Sequence, residues 1–285
     1  MARRRPSLIA LGLALLGLVL SLPAAAIHRG ETLELGVFPN LSPRMLVSMY
    51  QPLRLALEKE LGRPVQVYTA PGLKAFYERT RSGEYDLIVT PPHLARLAQT
   101  ESGFVPLVSY AAELRGLVVV PKQSSVATLA DLRGRMVAMP DRLGIISMLG
   151  LQAFRNAGLE PGTDFSLFYA QSHSNAALAV RNGQADAAVI GTIPLAQLPQ
   201  PLRGSLRVVA VSPVVPSQFY LANPRLGPGG IEAVRRALAK FAATPEGKTF
   251  FRKNGFGGFR PAREDGLRKV EPFAREAKRL LEEPK

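Results

Sequence analysis

Thr128-Leu-Ala-Asp-Leu-Arg-Gly-Arg-Met-Val-Ala-Met-Pro-Asp141 opens the stretch that decides the fold. Ser172-His-Ser-Asn-Ala-Ala-Leu-Ala-Val-Arg-Asn-Gly-Gln-Ala-Asp-Ala-Ala-Val-Ile-Gly-Thr192 closes it. Met136 to Met139 reads as a buried strand, and a helix follows from about Ile145 to Asn156. Phe165 to Tyr169 is the next strand, Ser172 to Asn182 the next helix and Asp186 to Ile190 a further strand. Strand and helix alternate, which calls for a mostly parallel sheet covered on both faces. The polar residues gather where strands end and helices begin, the edge at which open α/β sheets bind ligands.

The same alternation extends outward. Thr32 to Phe38 is a strand, followed by Ser42-Pro43, a helix cap with proline at the first helical position. That helix carries Leu46, Met49, Tyr50, Leu53, Leu57 and Leu61, and Pro52 inside it predicts a kink or restart. Further expected elements are a strand at Pro64–Tyr68, a helix at Leu73–Arg81, a strand at Tyr85–Thr90 and a short helix at His93–Ala98. Strands at Phe104–Tyr110 and Gly116–Pro121 follow, with one helical turn at Leu129–Gly134. Arg207–Val211 and Phe219–Ala222 are the last strands. Gly230–Ala243 and Glu264–Glu283 read as terminal amphipathic helices.

The ends and composition narrow the class. Arg3, Arg4 and Arg5, the 13-residue apolar run Leu8–Leu20 and Ala24-Ala25-Ala26 make the three parts of a secretory signal peptide. The run is shorter than the roughly 20 residues of a membrane span. Residues 1–26 are therefore expected to be removed, giving a secreted, periplasmic protein. The 285 residues contain no cysteine, which excludes disulfides and a lipid anchor on a cleavage-site cysteine. The formal charge is +14, about +11 without the signal arginines, but the basic residues are dispersed along the chain. No nucleic-acid partner is expected from that distribution. Three histidines, at 28, 93 and 173, and no metal-ligand spacing or paired carboxylates argue against an enzyme, a metal or any other cofactor.

The order of elements resembles the periplasmic substrate-binding proteins of phosphate/phosphite/phosphonate ABC transporters. The resemblance is carried by Gly36-Val-Phe-Pro39, Tyr50-Gln-Pro-Leu53, Leu57-Glu-Lys-Glu-Leu-Gly62 and Ser82-Gly-Glu-Tyr-Asp86. Later it continues through Leu129-Ala-Asp-Leu-Arg-Gly134, Ala157-Gly158, Ser172-His173 and Ala179-Val-Arg-Asn-Gly-Gln-Ala-Asp186. It implies a two-lobed α/β fold of the type II periplasmic-binding kind, with residues 27–113 and 214–285 in lobe 1 and 114–213 in lobe 2. It also implies cleft roles for Tyr50, His93 and His173. The family's serine- and threonine-rich anion loop corresponds here to Asp141-Arg-Leu-Gly-Ile-Ile-Ser147, which keeps Ser147 and a glycine and adds Arg142. After Asp186 the chain reads Ala-Ala-Val-Ile-Gly-Thr192, without the acids that hold an amine in relatives.

Helix starts offer unpaired N–H donors and the positive end of a dipole to an anion. Those after Ser42, after Thr90 and at Ser172 point to a cleft. The candidate ligand-binding residues are Tyr50, Thr90, His93, Arg142, Ser147, Ser172, His173 and Ser174. Ile145 and Ile146 suggest a drier pocket than phosphate needs. The expected function is capture of a small anion by a monomer serving an ABC permease. The alternative is an input protein for a membrane sensor.

Overall fold

A computed structural model describes residues 32–283. The expected signal peptide lies outside them. The strands are β1 (Leu33–Val37), β2 (Val65–Tyr68), β3 (Leu87–Thr90), β4 (Val105–Tyr110), β5 (Glu113–Leu114), β6 (Gly116–Pro121) and β7 (Met136–Met139). After these come β8 (Ser166–Tyr169), β9 (Ala187–Gly191), β10 (Leu206–Val211), β11 (Val215–Pro216), β12 (Phe219–Ala222) and β13 (Phe259–Pro261). The α-helices are α1 (Pro43–Leu61), α2 (Leu73–Arg81), α3 (Pro92–Ser102), α4 (Ile145–Asn156), α5 (His173–Arg181) and α6 (Thr192–Gln197). They continue with α7 (Gln200–Gly204), α8 (Gly227–Ala243), α9 (Pro245–Asn254), α10 (Glu264–Arg268) and α11 (Glu271–Glu282).

Two sheets form the centres of two lobes. The first has the order β13-β4-β12-β3-β1-β2 and the second β10-β6-β9-β7-β8. β1, β2 and β3 pair in parallel, as do β7, β8 and β9, while β12, β13, β6 and β10 add antiparallel pairings. The chain passes between the sheets twice, and the two passages pair with each other as β5 and β11. A short antiparallel ribbon thus joins the lobes.

The second sheet shows why its strands read as apolar runs. Val118, Val120, Val137, Met139 and Val189 face one side, against Ile145, Ile146, Leu149 and Phe154 of α4. Val119, Ala138, Ala188 and Ile190 face the other, against Ala176, Ala177 and Val180 of α5. Side chains alternate across a strand, so a strand covered on both faces must be apolar at every position. Alanines on α5 allow the helix to lie close to the sheet.

Two expectations are corrected and one helix is added. Pro52 neither ends nor restarts α1, which runs unbroken from Pro43 to Leu61. The C-terminal stretch is two helices, because Pro272 occupies the first turn of α11 and has no N–H for a continuing helix. The helix α9, absent from the sequence reading, follows α8 directly after Thr244.

The lobes meet beside the α4 start. Met148 of α4 is buried in the first lobe's core, and Leu143 packs against that core. Nε2 of His93 donates to the Leu143 carbonyl at 2.8 Å.

Candidate functional site

A cleft of about 1050 Å³ lies between the sheets. The first lobe contributes the β1–α1 loop from Phe38 to Leu41, one face of α1 and the residues Glu246, Thr249, Phe250 and Lys253 of α9. The second lobe contributes Asp141 and Gly144–Ser147, Gln171–Ser174, Gly191 and the α6 residues Ile193, Pro194 and Gln197. The charged wall residues are Arg44, Asp141, Glu246 and Lys253.

The start of α4 brings free N–H groups to the cleft wall. Gly144 is its N-cap and supplies no side chain. Residues 145–147 form the first turn, whose N–H groups have no carbonyl one turn back to bond. Asp141 shapes the approach: its Oδ1 accepts from the Leu143 N–H at 2.7 Å, and its carbonyl accepts from Gly144 at 3.0 Å. Burial holds the Asp141 carboxyl above its ordinary pKa, against the opposing pull of that N–H. Ser147 is fully buried and lines the cleft, and its Oγ has no protein partner. A buried hydroxyl is normally satisfied, so this one stands out on the cleft wall.

The start of α5 stands on the same wall. Ser172 caps it by accepting from the Asn175 N–H at 3.1 Å, and Gln171 just before it has φ of +66°. Gln171 is the single non-glycine with positive φ among the described residues, and such backbone is costly outside turns and binding sites. His173 Nδ1 receives a long, 3.5 Å bond from the Gly191 N–H, which favours the tautomer protonated on Nε2. Burial pushes its pKa down to about 4, so near neutral pH it is an uncharged donor. Ser174 completes this edge of the cleft.

The structure thus brings Ser147, Ser172, His173 and Ser174 together on one wall. It places the other four elsewhere. Tyr50 is buried one layer behind: its hydroxyl meets that of Tyr110 at 3.2 Å, and its ring packs edge-on against Phe250. Burial pushes its pKa up to about 12. Thr90 is buried at the foot of α3 with Oγ1 lacking a protein partner, while its neighbour Pro91 reaches the cleft. His93 joins the lobes through Leu143. Arg142 turns away to an exposed pair with Glu283 at 2.5 Å. Partners so distant in sequence leave no local signal. The β1–α1 loop, Gln171 and α9 were missed as cleft walls. For α9 a signal existed: Thr244 caps it, Pro245 begins it and Gly255 ends it.

His93 makes stability acid-sensitive. In the unfolded chain an imidazole takes up a proton near pH 6.5, whereas burial lowers His93 to about 4 despite its bond to Leu143. The unfolded state binds more protons between those values, so stability is complete above pH 6.5 and falls as pH drops towards 4. The span is worth about 3 kcal/mol for this residue. His93→Gln, which keeps a donor for the Leu143 carbonyl, is expected to flatten the fall in melting temperature between pH 6.5 and 4.

Two α/β lobes, a paired double crossing and helix starts facing a shared cleft define a substrate-binding protein of the periplasmic type. The family model for "ABC transporter, phosphonate, periplasmic substrate-binding protein" matches residues 35–267, and the chain belongs to that family. The phosphonates-binding periplasmic protein of Escherichia coli (strain K12) is 24% identical over 254 residues, covering 84% of this chain and 74% of that protein. PhnD1 from Prochlorococcus marinus, solved with methylphosphonate, superposes with a TM-score of 0.78 at 16% identity, covering 87% of this chain and 98% of that one. A binding component of an ABC phosphonate transporter from Pseudomonas aeruginosa gives 0.74 at 21% identity, with 88% of each chain covered. Members of the family are substrate-binding proteins. Among the described residues no group of acidic or histidine side chains gathers to hold a metal, and no helix is long and apolar enough to cross a membrane.

Proposed function

We propose that this protein captures a phosphonate-class oxyanion between its lobes and delivers it to an ABC permease, working as a monomer in the periplasm after removal of residues 1–26. The observation that carries this reading is the α4 start, where the first-turn N–H groups and the unpartnered Ser147 hydroxyl share one cleft wall with the α5 start. Such donors satisfy a tetrahedral oxyanion with charge-assisted bonds. The anion lies on Gly144–Ser147 and is flanked by Ser172, His173 and Ser174. Family membership favours transport over a sensor input.

Titration calorimetry with methylphosphonate tests the reading. Saturable binding that survives 150 mM chloride is expected, with dimethyl methylphosphonate, the neutral diester, failing to compete. Equal binding of the diester would remove the anion site.

A further inference from the structure

Helix α1 carries two apolar faces, one turned into the first lobe's core and the other towards the cleft. Leu46, Tyr50, Leu53 and Leu57 are buried in the first lobe's core. Met45, Met49 and Pro52 instead line the cleft, with Met45 56% exposed. Ile193 and Pro194 of α6, Leu41 and Phe250 line it as well. Met45 is open to water, while Met49, Leu41 and Ile193 also pack against the first lobe's core; exposed apolar surface inside a cleft marks a binding surface, and methionines make it adaptable.

We infer that the ligand of this cleft is an amphiphile, an alkyl phosphonate or alkyl phosphate monoester whose unbranched chain of several carbons lies along the Met45–Met49 face. The inference rests on the anion site proposed above and adds the substituent. Size supports it. The cleft of about 1050 Å³, open on one side, has room for a chain beyond the headgroup. Charge supports it too. The wall's two acids are Asp141 and Glu246. The first has an oxygen committed to the Leu143 N–H, and burial opposes its ionisation. The second sits in the first turn of α9, where the helix dipole favours it. Neither forms a paired-carboxylate seat for an ammonium group. Ile145 and Ile146 at the anion end also keep water from the junction of head and chain.

The test is calorimetry on the purified protein with methyl-, butyl- and octylphosphonate, all below their micellar concentrations. A methylene wholly removed from water is worth about fourfold in Kd. In a cleft open on one side roughly half of that is expected, so octyl should bind on the order of a hundredfold tighter than methyl. The binding heat capacity should grow more negative along the series. Met45→Ser should weaken octylphosphonate more than methylphosphonate, and Met45, being exposed, tolerates serine without unfolding. Octyl phosphate in place of octylphosphonate distinguishes the two sources of the headgroup, and binding of either supports the shared chemistry. Equal Kd values across the series would overturn the chain site and leave the anion site standing. Absence of binding by every phosphonate would overturn both. Octyltrimethylammonium binding as tightly as octylphosphonate would reduce the cleft to an apolar surface and overturn the head-and-chain arrangement.

Discussion

Ser147→Ala is expected to stabilise the free protein and weaken ligand binding at the same time. In the structure the hydroxyl is withdrawn from solvent with no protein partner, and leaving a buried polar group unsatisfied costs about 1–3 kcal/mol. Alanine removes the oxygen, fills nearly the same space and is the better helix former in the first turn of α4. A gain of about 1–2 kcal/mol follows in the absence of ligand. With an oxyanion bound the same hydroxyl becomes a donor to a charged acceptor, a bond worth about 1.5–3 kcal/mol, so the variant's Kd for phosphonate should rise about 10- to 150-fold. Urea unfolding of the free protein and calorimetry of the complex read the two halves separately. A variant that is less stable and binds equally well would mean that the hydroxyl serves the fold and not the ligand. Opposite signs in the two measurements are the signature of a group held ready for a ligand at the protein's own expense.

Much of the fold was legible because each element carried its own punctuation. Met136–Met139, Ile145–Asn156 and Phe219–Ala222 have the bounds that their apolar runs and flanking glycines and prolines imply. The double-faced second sheet was legible for the same reason, since every residue of β9 is buried. What escaped depended on distant partners. Tyr50 meets Tyr110, His93 meets Leu143 and Arg142 meets Glu283, and no period or motif near these residues records the pairing. The proposed anion site was only half legible for a further reason. Its donors are largely backbone N–H groups, which every non-proline residue has, so only their position at a helix start makes them special. The serine that the sequence retained, Ser147, marks the place. The depth of its burial is visible only in the packed structure. The antiparallel strands β12 and β13 likewise come from chain that returns after the second lobe, and no local pattern announces which neighbour they join.

Alanine substituted at two glycines, 247 and 229, should move stability in opposite directions, and the larger effect falls beside the cleft. Helices α8 and α9 meet at a corner where the Phe241 carbonyl accepts from both the N–H and the Oγ1 of Thr244, at 3.1 and 2.9 Å. Thr244 Oγ1 in turn accepts from the Gly247 N–H at 3.0 Å. A Cβ on Gly247 would lie 1.9 Å from the Phe241 oxygen and 2.8 Å from its carbon. These are backbone atoms locked into the corner, and no rotamer change relieves the overlap. Overpacking costs about 1–3 kcal/mol where side chains can adjust. Here α9 itself must move and the Thr244 bonds must stretch, so a loss of about 3 kcal/mol or more is expected for Gly247→Ala. That corresponds to roughly 6–12 °C in Tm for a chain of this size. The shift also carries Thr249, Phe250 and Lys253 away from the cleft wall, so weaker phosphonate binding should accompany it. Gly229 is the matched control. It is exposed in the first turn of α8, and a Cβ there meets nothing within 4 Å. Gly229→Ala should add about 0.4–1 kcal/mol by narrowing the unfolded ensemble, with the ligand Kd unchanged. Equal melting temperatures for the two variants would mean that the α8–α9 corner is loose, and that α9 does not hold its side of the cleft rigidly against the ligand.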